Sequence, residues 1–287
     1  MKHVIKLFRI HQWVKNLFVF LPAFFSGRLL EASIFNNSLI AFFLFSFTAS
    51  IIYVINDYSD IEKDKLHPEK KLRPLASGAI SKHTALLLLI PMIAVVVIGA
   101  YLFLNMQATV VLGAYFLMNL SYTFYLKNIP IVDVTTIALG FVFRVLFGGF
   151  VATILVSKWA LLLTFSLALI LALGKRRGEL VIMPSNTRKA LQGYTVEFLN
   201  IALTIAISIT LVSYIMYSVS AEVIQNFGSD YLYITTLFVL MGLLRYLQQS
   251  LVFNKTESPT KFLYKDHFVQ VMVFLWIISF FVIIYFK

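Results

Sequence analysis

The sequence predicts an all-α integral membrane protein with nine transmembrane helices in one bundle and a cytoplasmic N-terminus. Three observations predict it. First, 60% of the 287 residues are hydrophobic and only 13% are charged, more apolar surface than a water-soluble domain can hide. Second, apolar runs of about 17 residues or more recur along the whole chain, each enough to cross a bilayer as a helix. They are too long and too uniform for barrel strands. Third, Lys and Arg gather on alternate connections, the mark of cytoplasmic loops. Residues 1–287 read as a single polytopic membrane domain.

The elements follow in order. Met1 to Asn16 carries Lys2, Lys6, Arg9 and Lys15 among apolar residues, which suits an amphipathic segment in the interface. Trp13 belongs at headgroup level. Spans are expected at about 17–32, 38–56, 83–104, 108–126, 131–152, 158–174, 195–219, 231–250 and 267–286. With the N-terminus inside, nearly all of the 24 Lys and Arg residues fall on inside segments. The outside keeps Arg28, Lys158 and Lys287, and Arg144 lies within a span. The long charged loops at 57–82, 175–194 and 251–266 are all inside. Function is therefore expected on the cytoplasmic face of a bacterial-type cell (inner) membrane. The apolar stretch after the basic N-terminus lacks a small-residue cleavage pattern, so no cleavable signal is expected.

Composition removes several classes of chemistry. With no cysteine, there is no disulfide, thiolate metal site or cysteine nucleophile. The five histidines, His3, His11, His67, His83 and His267, show no ligand spacing. The net charge of +11 reads as loop charge beside anionic lipid and anionic substrate, not as a nucleic-acid surface.

The stretch NDYSDIEKDKLHPEKKLR, residues 56–73, joins two apolar runs. On a continuous helix Asp57 and Asp64 lie about 20° apart, Asp60 about 60° from Asp57, and Asn56 about 100° from it. All four share a face, and Glu62 points away. Converging carboxylates repel unless a cation sits between them, and hard oxygen ligands suit Mg2+, which bridges to substrate phosphates. In the same loop Lys70, Lys71 and Arg73 are candidates for an outer phosphate, with Pro68 and Pro74 fixing the backbone around Arg73.

A second polar cluster, GKRRGEL at 174–180, ends the sixth span. Glu179 lies within helical reach of Lys175 and Arg176, a pattern for an anion site that also includes Arg177. The two clusters hint at two similar halves around a shared cavity. Tyr122, Lys127 and Asp133 frame the turn before the fifth span. Asp133 and Arg144 are about three helical turns apart, which suggests a polar lining for intramembrane charges. Gly148 and Gly149 fit helix packing.

The order of spans and the Asn-Asp-x-x-Asp-x-x-x-Asp motif at 56–64 resemble the UbiA superfamily of intramembrane prenyltransferases over nearly the whole chain. The resemblance implies a nine-helix bundle with a cytoplasmic catalytic cavity. Typical members carry a second aspartate-rich motif after the sixth helix, and this chain has GKRRGEL there instead. That segment, with QWVKN at 12–16, HPEKKLRPLASG at 67–78 and YLKNIPIVDV at 125–134, is similar to the branch that contains the decaprenyl-phosphate phosphoribosyltransferases.

The resemblance implies transfer of 5-phosphoribose from phosphoribosyl diphosphate (pRpp) to a polyprenyl phosphate lipid, with release of pyrophosphate, on a route to cell-wall biosynthesis. Asp57, Asp60 and Asp64, helped by Asn56, would then bind Mg2+. Lys15, Arg73, Lys127 and Arg144 would bind donor phosphates, and Lys175 and Arg176 further phosphate. Tyr122, Asp133 and Glu179 complete the expected substrate site. The alternative is a UbiA-type prenyl transfer from a prenyl diphosphate to an aromatic or other acceptor. A lipid flippase or transporter would be expected to break its helices near the midplane, and no such break is evident.

Overall fold

A computed structural model describes residues 2–66, 70–182, 189–255 and 265–285. Among them every regular element is helical. His67, Pro68, Glu69, Arg188 and Lys261, all used in reading the loops, lie outside the described residues. Contacts group the chain into two compact units. One is Met1–Tyr125 with Phe143–Val156, and the other is Leu126–Val142 with Ser157–Lys287.

The first unit opens with α1 (Lys2–Leu7), a 3-10 helix over Ile10–Phe20 and α2 (Leu21–Phe25). These lead into α3 (Ala32–Ser59), α4 (Ile61–Lys65), α5 (Lys82–Phe103) and α6 (Met106–Phe124). The second half of α7 (Val132–Ala152) also belongs here. The 3-10 helix lies on α3 because small α3 side chains let it approach and bond. Asn16 Nδ2 donates to Ser46 Oγ at 2.9 Å, Trp13 Nε1 to Ser50 Oγ at 3.0 Å, and Ser50 Oγ to the Phe8 carbonyl at 2.8 Å. Gly148 on α7 completes this contact, since a Cβ there would stand 2.0 Å from the Val19 carbonyl oxygen. Behind it, Phe45 and Phe147 are wholly buried beside Tyr115 and Leu112.

The expected first span at 17–32 is not a single helix. Pro22 starts α2 in a first turn that needs no N–H from it, and Gly27, at φ 72°, turns the chain soon after α2 ends. α5 matches its expected bounds. Ser81 caps it by accepting from the Thr84 N–H at 3.0 Å. Leu86, Leu87, Ile90, Val97 and Ile98 on α5 are exposed, as suits a helix whose solvent is lipid.

The second unit holds the first half of α7, then α8 (Lys158–Ile182), α9 (Val196–Ser218), α10 (Ala221–Phe227), α11 (Thr236–Leu251) and α12 (His267–Tyr285). Ile170 and Leu173 of α8 pack on Leu199 and Leu203 of α9 and on Tyr246 of α11. Thr195 caps α9, and Asp266 caps α12 while accepting from Arg245 at 2.9 Å. α8 runs past the expected end at 174, so GKRRGEL is helical and not loop. Among the described residues six helices are long and apolar enough to cross a membrane: α3, α5, α7, α8, α9 and Tyr231–Leu251, which joins a 3-10 turn to α11. His267–Ile283 is a shorter apolar helix.

Candidate functional site

The carboxylates at the end of α3 are not carried by one continuous helix. At Asp60 the backbone leaves the helix, at φ −102° and ψ 10°, and α4 begins at once. The hydrogen bonds Asp60 N–H to Asn56 O (3.0 Å) and Asp64 N–H to Asp60 O (2.8 Å) keep the helical spacing across the break. Asp57 and Asp64 therefore still emerge together, and both are buried. Asp60 occupies the junction itself and Asn56 lies half-buried one residue before Asp57. Glu62 points outward to Lys65, as expected.

Two arginines meet the buried pair. Arg73 Nη1 donates to Asp57 Oδ1 at 3.0 Å and to Asp64 Oδ2 at 2.6 Å. Arg9 also donates to Asp57 Oδ1. Arg9 sits in the left-handed region at φ 51°, between α1 and the 3-10 helix. Its guanidinium lies 5.0 Å from the Tyr53 ring centroid, within range of a cation–π attraction. A cavity of about 240 Å³ opens beside them, lined by Lys6, Arg9, His11, Gln12, Asp57, Arg73 and Pro74. Its lining carries three cations, Lys6, Arg9 and Arg73, against one carboxylate, which suits an anion the size of a phosphate or diphosphate group.

The donor set fits Mg2+ as a partner of phosphate and not as a closed cage. Among the described residues no three His, Asp or Glu side chains group as metal ligands. Two carboxylates do meet on one nitrogen, and Mg2+ is commonly held by one or two carboxylates with water and substrate phosphates supplying the rest. The sequence reading, with three aspartates on one continuous helical face, is corrected to that extent.

Arg144 lies in the core of the same unit. It donates to Asn16 Oδ1 at 2.9 Å and to Tyr115 OH at 3.2 Å, and lies over the rings of Phe45 and Tyr115 at 4.9 and 5.2 Å. Lys15 precedes Asn16. Burial, and then the charges of Arg144 and Arg9, hold its ammonium down to about 8. Burial, Arg9 and Lys15 also lower His11.

In the second unit the charges have opposite roles. Arg176, 1% exposed, donates Nε to Asp133 Oδ2 at 2.6 Å and Nη1 to Glu179 Oε2 at 2.7 Å. Lys175 is half-exposed, 3.7 Å from Glu179. Arg177 donates to Asn200 and Asn254 at 2.6 and 2.7 Å and to the Ser250 carbonyl, tying α8 to α9 and to the end of α11. Tyr194 OH donates to Asp133 Oδ1 at 2.7 Å and accepts from the Ile131 N–H at 2.5 Å. Burial, and then that bond to Asp133, push the Tyr194 phenol up. Ile131 has φ 68°, a costly conformation for a β-branched residue, and Tyr194 holds it there. The turn is also packed shut, since a Cβ on Gly193 would meet Pro130 Cγ at 2.3 Å.

Asp133 is held by Arg176 and Tyr194, and Arg144 bonds Asn16 and Tyr115. Tyr122 and Lys127 lie half-buried at the end of α6 and in the following 3-10 turn. Arg9, Tyr115 and Tyr194 were not legible as site residues. Their partners are 48, 29 and 61 residues away, with no local motif to flag them.

Residues 18–278 match the UbiA prenyltransferase family. Among curated proteins, the chain is 30% identical to the decaprenyl-phosphate phosphoribosyltransferase of Mycolicibacterium smegmatis, over 99% of this chain and 93% of that one. It is 29% identical to the same enzyme of Corynebacterium glutamicum, over 96% and 84%. Among solved structures it resembles a UbiA homolog from Archaeoglobus fulgidus bound to DMAPP and Mg2+, with TM-score 0.73 and 19% identity over 99% of both chains.

Proposed function

Because the chain belongs to the UbiA prenyltransferase family, we propose that it is a Mg2+-dependent membrane transferase that moves 5-phosphoribose from pRpp to a polyprenyl phosphate, releasing pyrophosphate. The observation that carries this choice within the family is the end of α8. The cluster there is built on cations, and both of its carboxylate partners, Asp133 and Glu179, accept from Arg176. The curated relatives named for phosphoribosyl transfer, at 27–30% identity, support the same reading.

Asp57 and Asp64, with Asn56 and Asp60 beside them, would hold Mg2+ in the first unit. Bound there, the ion supplies electrostatic stabilisation of the departing pyrophosphate. Arg73, Lys15 and Arg144 add positive charge on the same unit, and Lys6, Arg9 and His11 line its anion cavity. In the second unit Lys175 and Lys127 bind further phosphate, while Arg176 is held by Asp133, Glu179 and the Tyr194 network that fixes them. As the bond from ribose C1 to the diphosphate breaks, C1 gains positive character and the lipid phosphate oxygen attacks it. The acceptor is already an anion, so no strong general base is needed. The chain's contribution is chiefly positioning and charge at a water–lipid boundary. The bias of Lys and Arg supports a cytoplasmic N-terminus and a site facing the cytoplasm in a bacterial-type inner membrane.

Purified protein with Mg2+, a short polyprenyl phosphate and labelled pRpp tests this. Label reaching lipid only with Mg2+ supports the proposal. Asp57→Asn is expected to lower that rate at least about 100-fold with unchanged membrane yield, and retained turnover would remove Asp57 from the metal site. The Asn56–Asp64 motif equally favours prenyl transfer as the second reading. Consumption of a prenyl diphosphate with an aromatic acceptor, and no labelling from pRpp, would establish it instead.

A further inference from the structure

Two guanidinium groups neutralise the carboxylates at the end of α3, and neither belongs to that helix. Arg9 comes from the turn before the long 3-10 helix and Arg73 from the bend after a short 3-10 turn at Lys70–Leu72. Both stay partly exposed, at 19% and 25%, whereas Asp57 is 2% exposed. Both also line the cavity with Lys6 and His11. Together they carry the charge of one divalent cation. Partly exposed side chains change rotamer within nanoseconds, while Asp57 is fixed by helix and core. Arg9 has a second resting place as well, since the Tyr53 ring lies 5.0 Å from its guanidinium and attracts a cation with or without the carboxylate.

We infer that Arg9 and Arg73 are exchangeable counter-ions. They hold Asp57 and Asp64 while no metal is bound. An arriving divalent cation releases them to bind the phosphate groups that accompany it. The identity of that anion as a sugar diphosphate rests on the proposed function, but the exchange itself does not. Keeping both guanidinium groups in place would crowd a dication against two cations over the same two carboxylates. Swinging them into the cavity instead gathers them with Lys6, a concentration of charge that favours a polyanion. Metal and anion then assist each other reciprocally, because an anion that draws Arg9 away from Asp57 opens the carboxylate to metal.

Mn2+ binding to the purified full chain, followed by electron paramagnetic resonance, tests the exchange without reading turnover. With no anion present, Arg9→Gln is expected to bind Mn2+ about tenfold more tightly than wild type. Inorganic pyrophosphate should then tighten Mn2+ binding less in Arg9→Gln than in wild type. Asp57→Asn should lose the tight Mn2+ site in either background. If Arg9→Gln binds Mn2+ no more tightly than wild type, Arg9 is a fixed structural partner and the inference is wrong. Arg9→Lys, which keeps a cation but loses the fork, replaces Arg9→Gln if the latter does not fold. Tighter binding supports the exchange and unchanged binding overturns it. A failure of pRpp to label lipid would remove the proposed reaction and leave these binding results standing.

Discussion

The polar clusters at the ends of α3 and α8 use the same residue types with inverted roles. At α3 the carboxylates are the buried members, and the arginines reach in from partly exposed turns. At α8 the arginine is buried at 1% exposure, Asp133 is wholly buried, and Tyr194 locks Asp133 from a third direction. A buried charge pair that is broken leaves an uncompensated charge, whereas a pair reached by solvent is replaced cheaply. Burial of the cation therefore separates a cluster that can trade partners from one that sets the shape of its surroundings.

The largest effect should come from breaking the buried pair. Arg176→Ala is expected to destabilise the protein by about 3–5 kcal/mol, because Asp133 keeps its charge in the core without its main partner. Arg73→Ala should lose less, about 1–3 kcal/mol, since Arg73 is partly exposed and Arg9 still meets Asp57, although Asp64 loses its guanidinium. Thermal unfolding of both variants in one detergent makes the comparison. Added Mg2+ should raise the midpoint of Arg73→Ala more than that of Arg176→Ala, whose carboxylates at Asp57 and Asp64 keep both guanidinium partners. Equal losses in the two variants would erase the distinction between the clusters.

Tyr194→Phe probes the lock at smaller scale. It removes the acceptor of the Ile131 N–H and one donor to Asp133 without opening a cavity. A loss of about 1–2 kcal/mol is expected, with the turn around Ile131 relaxing from its left-handed conformation. Amide exchange at Ile131 should quicken far more than at Leu199 in the α9 core. If both amides keep their rates, Tyr194 does not hold the turn.

Sequence alone made most of the helices legible. Length and apolarity place α5, α7 and α9 close to their expected bounds, because in lipid each helix must satisfy its own backbone, while α3 starts earlier and α8 ends later than expected. The exception is 17–32, where apolarity predicts a crossing but Pro22 and Gly27 interrupt the helix. The motif at 56–64 brings Asp57 and Asp64 to emerge together, since helical spacing survives the break at Asp60. It could not reveal which cations sit on them. Arg9 reads as one more interfacial charge until the chain folds back on α3, and Tyr194 belongs to a loop with no pattern of its own. Arg176 and Arg177 look alike in GKRRGEL, yet one is paired with carboxylates and the other caps neighbouring segments. Only tertiary packing tells them apart.

The smallest effect sharpens the α3 side of the comparison through pH. Lys15 lies outside the six candidate spans and is held to about 8 by burial and by Arg144 and Arg9. Its folded value is below its ordinary one, so between about pH 8 and about pH 10 the folded chain has released a proton that the unfolded chain still holds, and stability rises with pH there. Anion binding runs the other way, because only the protonated ammonium attracts phosphate. Pyrophosphate affinity measured by calorimetry should be nearly flat below about pH 8 and then fall by at most about tenfold per pH unit. Lys15→Arg, which stays charged throughout, should remove that fall. A wild-type profile that stays flat to about pH 9.5 would place Lys15 away from the anion. The positive charge facing the anion would then come from Lys6 and from Arg9 and Arg73, the two groups that exchange.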